Sequence, residues 1–261
     1  LKWSGLLPKQ LNVDALFTEA KIQLHQEADY HQEAEYLQRF YEVFTGQDRF
    51  VIPQYLAEWS TNKILTMSFE QGVLIDQCHA FSTSIKVALV SDLIELLLKE
   101  LFDMQLMQTD PNFANFLYRA DQDRIVLLDF GATQRLSDKT VQTYRQLMRH
   151  LVAGETELFL LTCQQMDYLP EEIPQDITSM LTQMVQLIEP VFKEDRTFDF
   201  SDQAWRSSLQ ALGVELGQRN DFWHTPEFEV LLVHRKLIGL FMLATQFNVS
   251  VNVHRLIKVY V

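Results

Sequence analysis

Gln108-Thr109-Asp110-Pro111-Asn112-Phe113-Ala114-Asn115, followed ten residues on by Ile125-Val126-Leu127-Leu128-Asp129-Phe130-Gly131, sets three oxygen-bearing side chains around a short strand-turn-strand unit. Phe116-Leu117-Tyr118 and Ile125 to Leu128 are apolar runs of strand length, and Arg119-Ala120-Asp121-Gln122-Asp123 between them reads as a hairpin loop. Folding that hairpin brings the start of its first strand beside the end of its second, so Asn115 and Asp129 arrive at one edge. Pro111 biases Asp110 away from helical geometry, which suits an extended loop. Two carboxylates and an amide gathered there repel unless a cation joins them. Mg²⁺ takes oxygens of this kind together with phosphate and water. Gly131 lets the chain depart sharply after Asp129.

Each residue alone has a bland reading. Asp110 before proline can be a turn starter, Asn115 a local cap, and Asp129 a cap for the next segment of chain. Together they form Asp-x-x-x-x-Asn followed by Asp-Phe-Gly, the spacing with which phosphoryl-transfer sites position an acceptor and hold Mg²⁺. Asp110 then reads as the catalytic residue, and Asn115 and Asp129 as metal ligands.

Gln-Thr-Asp-Pro-Asn-Phe-x-x-Asn-Phe and Leu-Leu-Asp-Phe-Gly-Ala-Thr resemble the motifs of the UbiB/ADCK-like (Coq8-type) atypical kinases. Glu27-Ala28-Asp29-Tyr30-His31-Gln32-Glu33-Ala34 is similar to that family's Glu-x-Asp-Tyr-x-x-Glu-Ala signature, and the resemblance runs from about Leu11 to the C-terminus. It implies an α+β, protein-kinase-like fold, with ATP or ADP and Mg²⁺ bound. It also implies a role in ubiquinone (coenzyme Q) biosynthesis as an unorthodox ATPase or small-molecule kinase. Partners implied are the nucleotide and isoprenoid quinone precursors or quinone-biosynthesis proteins. The implied compartment is the bacterial cytoplasm, with peripheral membrane association as one option, or the mitochondrial matrix in a eukaryote. By the same resemblance Glu33 pairs with a phosphate-binding lysine, and Glu27 and Asp29 form an extra acidic motif near the nucleotide.

The residues carrying that acidic motif have their own pattern. From Val13 to Phe44 the apolar positions fall at helical spacing, which predicts one long amphipathic helix. Asp29 and Glu33, four apart, are then neighbours, and like charges at that spacing destabilise a helix by a few tenths of a kcal/mol, about 0.2–0.5. The bland alternative is a solvated acidic face.

A kinase-type site also needs a loop over the phosphates and a lysine. In the resembled family these are an Ala-rich loop and Lys-x-Gly-Gln, both expected upstream of Glu27. Lys2, Lys9 and Lys21 are the lysines there, and none lies in that context. The expectation is a chain that holds the metal side of the site without the lysine side, and that transfers phosphate poorly by itself.

Composition fits a folded domain with an ample core at 261 residues. Asp and Glu outnumber Lys and Arg 35 to 22, and the net charge of −13 argues against nucleic acid or an anionic membrane surface as principal partner. Cys78 and Cys163 are too few and too far apart for a disulfide framework or zinc site, so a reducing compartment and core filling are the simpler readings. Leu93 to Phe102 is too short and too charged to span a bilayer, so no transmembrane segment is expected.

Residues 1–70 are expected to be a partial small lobe, with strands over Arg49 to Ile52, Tyr55 to Glu58 and Ile64 to Phe69. Residues 71–261 are expected to be the helical large lobe. Met67-Ser68-Phe69-Glu70-Gln71-Gly72 falls where an adenine-binding hinge should lie, making Ser68, Phe69 and Glu70 nucleotide-site candidates. The family's acid is about at Ser68, and here it stands at Glu70; an ordinary strand end is the alternative. Asp76 to Met107 reads as mostly helical. Further helices are expected at Lys139 to Ala153, Thr156 to Met166, Asp176 to Phe192, Gln203 to Leu216 and Pro226 to Phe247, with Asp138 and Asp176 as N-caps. His234-Arg235-Lys236 reads as a solvated or ion-paired face, and Phe113, Phe116 and Phe130 as packing residues. There is no Ala-Pro-Glu activation-segment ending, no zinc spacing among the histidines and no Gly-x-Ser-x-Gly elbow.

Three functions remain in order. The first is an atypical ATP-dependent kinase or ATPase, and the second a pseudokinase-like nucleotide- or lipid-binding scaffold without turnover. The third is an aminoglycoside- or choline-type phosphotransferase, against which Gln108 argues, because those enzymes place histidine there.

Overall fold

The structure, a computed structural model, describes residues 29–110, 112–166, 169–219 and 227–261. Helix α1 (Tyr30–Phe44) buries Ala34, Leu37, Phe40 and Phe44 at helical spacing. Asp29 is non-helical (φ −94°, ψ 90°), and its carboxylate accepts from the backbone N–H groups of His31 at 3.0 Å and Gln32 at 3.4 Å. Of the single helix expected over Val13 to Phe44, the part before Asp29 lies outside the described residues, and Asp29 itself is the N-cap of a helix that starts at Tyr30. A short acidic side chain satisfies the orphan N–H groups of a first turn better than it continues a helix.

The main sheet has four strands in the order β1 (Phe50–Val51), β5 (Arg124–Leu127), β4 (Phe116–Arg119), β2 (Val73–Leu74). β1 lies parallel to β5, whereas the β5–β4 and β4–β2 pairs are antiparallel. Gly72 permits the last pairing, since a Cβ there would stand 2.7 Å from Leu117 Cβ. The β4–β5 hairpin has the expected register, with Phe116 opposite Leu127. Its turn places Asp123 at φ 53°, and that aspartate accepts from Tyr118 Oη at 2.8 Å and pairs with Arg49. Arg49 also pairs with Asp92, so one guanidinium ties the loop before β1 to the hairpin tip and to the helical half.

The other two early strands fail to form as ladders. Ala57–Trp59 is a single 3₁₀ turn, and Tyr55 meets Met67 through an isolated antiparallel bridge. The Ser60 hydroxyl donates to Leu56 O and accepts from Thr66 N, both at 2.9 Å. A side chain thus takes backbone groups that a ladder would use.

Asp76 to Met107 is mostly helical as expected, in pieces set by local bonds of the same kind. A 3₁₀ segment (Ile75–Ala80) ends at Phe81, and Ser82 then caps α2 (Thr83–Lys99). A π turn (Glu100–Met104) and Gln105 at φ 51° lead into β3 (Leu106–Gln108), which pairs with β6 (Thr133–Arg135). Helices α3 (Asp138–Ala153), α4 (Thr156–Gln165), α5 (Gln175–Lys193), α6 (Gln203–Gly217) and α7 (Phe228–Phe247) come next, close to the expected spans. A short pair, β7 (Phe198–Asp199) with β8 (Ser250–Val251), and α8 (Val253–Ile257) complete the order. The caps of α3 and α5 are Ser137 and Pro174 rather than Asp138 and Asp176. Ser137 Oγ accepts from Thr140 N, while Asp138 takes Gln105 Nε2 and Asp176 pairs with Arg219.

The core centres on α2 and α7, where Leu89, Leu93, Leu96, Val233, Leu243 and Phe247 are buried. Each fully buried side chain of this size contributes about 1.5–3 kcal/mol. Cys78 and Cys163 are unpaired thiols, and burial pushes them up to about 11 and about 12, which suits core filling. The result is an α+β fold of kinase type. Among the described residues no helix is long and apolar enough to cross a membrane.

Candidate functional site

Asp110 and Asn115 are brought together by the 3₁₀ turn Phe113–Asn115, whose N-cap Asn112 accepts from Ala114 N. Asn115 Nδ2 donates to Asp110 Oδ2 at 2.7 Å, leaving the amide oxygen of Asn115 as its remaining ligand atom. Asp110 Oδ1 accepts from Asn112 N at 3.2 Å and from Arg235 Nη2 at 3.2 Å. Both carboxylate oxygens of Asp110 are therefore engaged, one of them by a cation from α7.

Asp129 lies past the end of β5, where Leu128 N donates to Asn115 O at 2.9 Å and closes the hairpin. Its Oδ1 accepts from Gly131 N at 2.9 Å. Glu33 reaches the same place from α1. Phe40, seven residues along the same helix face, packs its ring 4.9 Å from that of the fully buried Phe130, and this fixes α1 against the turn. Glu33 Oε1 then accepts a long bond from Phe130 N at 3.5 Å. A Cβ on Gly131 would meet Asp129 Oδ1 at 3.4 Å and Glu33 Oε2 at 3.5 Å, so the two carboxylates flank one glycine. Burial first, and then the charge of Asp129, push the Glu33 carboxyl above its ordinary value.

These contacts form two couples, Asp110–Asn115 and Glu33–Asp129. Among the described residues no side-chain hydrogen bond joins one couple to the other, and no group of three or more His, Cys, Asp and Glu converges. The donors offered by Asp129, Glu33 and Asn115 are all oxygens, and two mutually repelling carboxylates fit a hard divalent cation that takes its other ligands from phosphate and water.

The remaining sequence candidates have other partners. Asp29 caps α1 rather than stacking on Glu33. Ser68 Oγ accepts from Gln54 N and donates to Glu70 Oε1, each at 2.9 Å, and Glu70 pairs with Arg119 at 3.1 Å. Phe69 is 86 % exposed. Glu27, Pro111 and the lysines Lys2, Lys9 and Lys21 lie outside the described residues. Lys63 and Glu33 line one surface hollow without an ion pair between them.

Of the two alternatives for the basic trio on α7, a solvated or an ion-paired face, Arg235 and Lys236 take the second. His234 packs edge-on against Tyr144, and burial lowers its imidazole to about 4. Arg235 reaches Asp110. Lys236 pairs with Glu100 inside the core, where their side chains are 6 % and 0 % exposed. Burial lowers Lys236 and raises Glu100, and each opposes the other's shift. The visible signal was the consecutive His234, Arg235 and Lys236 inside the largely apolar run Val230 to Phe247, together with a glutamate at the end of an apolar helix. Groups of that kind are buried only when paired.

The ABC1 atypical kinase-like domain matches residues 1–160. The atypical kinase COQ8, mitochondrial, of Saccharomyces cerevisiae is 31% identical over 98% of this chain and 51% of its own length. The atypical kinase COQ8B, mitochondrial, of Danio rerio is 28% identical over 94% of this chain and 39% of its own. The chain thus spans about half or less of these curated relatives. Among solved structures, Rv3197 of Mycobacterium tuberculosis, determined as a complex with erythromycin, superposes with a TM-score of 0.73. That match covers 97% of this chain and 64% of the other at 20% identity, a likeness of fold. The chain belongs to the ABC1, or UbiB/Coq8-type, family of atypical kinases.

Proposed function

We propose that the chain carries the metal and acceptor side of an ATP-dependent phosphotransferase or ATPase acting in ubiquinone biosynthesis. Residues 1–70 would form part of a small lobe and 71–261 the helical lobe, with Ser68 to Glu70 at the adenine edge. Asp129 and Asn115 would hold Mg²⁺, with Glu33, Glu27 and Asp29 on the nucleotide side. The ion would neutralise the phosphate charge that builds during transfer. Asp110 would accept the hydrogen bond of an acceptor hydroxyl, oriented by Asn115, while Arg235 would hold its second oxygen. In a eukaryote the matrix of the mitochondrion suits this role, and in a bacterium the cytoplasm, at the membrane periphery.

The observation that carries this reading is the Glu33–Asp129 couple flanking Gly131 without an ion pair of its own among the described residues. A second reading, nucleotide binding without turnover, is favoured by the engagement of both Asp110 oxygens. Calorimetric titration with Mg-ATP beside a hydrolysis assay separates the two. Asp129→Asn should weaken Mg-dependent binding by about 100-fold, the upper end of what disturbing a metal's surroundings costs. Asp110→Asn should leave affinity within about three-fold and abolish hydrolysis. Unchanged binding in Asp129→Asn would refute the metal assignment. Hydrolysis by the wild type that is lost in Asp110→Asn would select the first reading.

A further inference from the structure

The helical half holds a pocket of about 360 Å³, open on one side, between α2, α3, α5, α6, α7 and α8. Its lining is apolar throughout, including Leu97 from α2, Val191 from α5, Trp205 and Leu209 from α6, and Phe241 and Ala244 from α7. It reaches the surface at Ile238, which is 59 % exposed, and Met242, one turn further along α7, is also exposed. Leu240 separates it from the small hollow beside Asp110, so no residue of the Glu33–Asp129 edge touches it.

Native cores hold few voids larger than a water molecule, and a void lined by hydrocarbon stays dry because water finds no partners there. Nucleotides, metal ions and sugars are excluded for the same reason. Engineered apolar cavities of roughly 150 Å³ take up benzene. At the roughly 30 Å³ of a water-sized group, this one has room for about a dozen carbons. Trp205 fixes its shape: the indole N–H donates to Leu187 O at 2.7 Å, and its ring packs against Phe198 and Phe241. We propose that this cavity is a binding site for a single hydrocarbon chain, the tail of an amphiphile whose polar head remains at the surface by Ile238. The site is separate from the nucleotide edge and does not depend on the reading given to it.

Trp205 supplies the test. Omega-bromododecanoic acid, whose bromine quenches an indole it touches, is titrated into the full chain below its micelle concentration. Saturable quenching at about one chain per protein is expected, with most of it lost in Trp205→Phe. Ala244→Phe, which fills the floor, should weaken binding by about ten-fold or more, corresponding to about 1.4 kcal/mol. If that variant does not fold, Leu209→Trp, which narrows the half-buried rim, decides in its place. Competition should strengthen from octanol to dodecanol and level off by hexadecanol, and farnesol tests whether a branched prenyl chain also fits. Asp129→Asn should bind the probe as wild type does, so failure of the metal assignment leaves this result intact. Absence of saturable quenching, or quenching unaltered in Trp205→Phe or in a folded filled variant, would overturn the proposal.

Discussion

The two edges of the site are charged in opposite ways. On the α7 edge the two acidic groups beside the site each have a cation from the chain itself: Lys236 for Glu100 and, on the adjacent residue, Arg235 for Asp110. On the α1 edge Glu33 and Asp129 flank Gly131 with backbone N–H groups and no described cation. A fold that compensates one edge this thoroughly can leave the other unpaired because something outside the protein completes it. That difference, more than the acidic total, is what supports the proposed place of the divalent cation. The α7 edge itself divides again, into a pair sealed in the core and a pair open to solvent.

The sealed pair should give the largest effect. Lys236→Met keeps the length of the side chain and removes its charge, leaving Glu100 buried without a counter-charge. Breaking a buried pair from one side costs about 3–5 kcal/mol, so urea denaturation should show a loss of that order. Replacing both residues, Lys236→Met with Glu100→Leu, should restore most of it. A single variant as stable as wild type would mean that Glu100 has another partner.

His234 comes next. Burial holds its imidazole at about 4, below the ordinary 6.5, so the unfolded chain takes up the proton first. Stability from this group is complete above about pH 6.5 and drains as pH falls toward 4. At about pH 5 the loss should be about 1–2 kcal/mol, reduced from the full shift because the ring is only half-buried. His234→Phe keeps the ring contact with Tyr144 and should be less sensitive to acid than wild type over that window. Parallel curves for the two proteins would show that the acid sensitivity lies elsewhere.

Much of this architecture is legible in the sequence, and the parts that are not share a cause. The β4–β5 hairpin and helices α3 to α7 follow from apolar periodicity, which also brought Asn115 and Asp129 to neighbouring chain ends. The strands expected over Tyr55 to Glu58 and Ile64 to Phe69 do not form as ladders because Ser60 claims backbone groups through local bonds that periodicity does not register, and the breaks that Ser82 and the π turn at Glu100 put into the mostly helical stretch Asp76 to Met107 have the same origin. Asp29 was read as a charge on a helix face, whereas capping governs its place. Arg235 and Lys236 read as a solvated or ion-paired face, and the acids they pair with are not legible because those partners lie 125 and 136 residues away. Long-range pairing of that kind leaves only an indirect trace, a charge inside an apolar run.

On the α1 edge the comparison calls for a smaller change in the opposite sense. Glu33→Gln keeps the acceptor for Phe130 N and removes one of the two repelling charges. Without Mg²⁺ the variant should be more stable than wild type, read as a higher Tm, because a half-buried carboxylate facing Asp129 is replaced by a neutral amide. With Mg-ATP its additional stabilisation should be smaller than that of wild type. A lower Tm in the absence of Mg²⁺ would mean that Glu33 already has a counter-charge.

Arg235→Gln should have the smallest effect on stability and separates the two pairs of the α7 edge most sharply. Arg235 is 44 % exposed and Asp110 23 %, so water and salt screen their attraction, and pairs of this kind contribute about 0–1 kcal/mol. The difference between Arg235→Gln and wild type should shrink further in about 1 M salt, where the screening length falls to about 3 Å. The loss in Lys236→Met should persist under the same conditions, because the low-dielectric surroundings of Glu100 admit no ions. Adjacent residues on one helix would then differ in kind, one cation holding the fold and the next exchangeable for a substrate group at Asp110. A salt-insensitive loss of several kcal/mol in Arg235→Gln would instead make Asp110 part of the structural core and remove it as an acceptor-orienting residue.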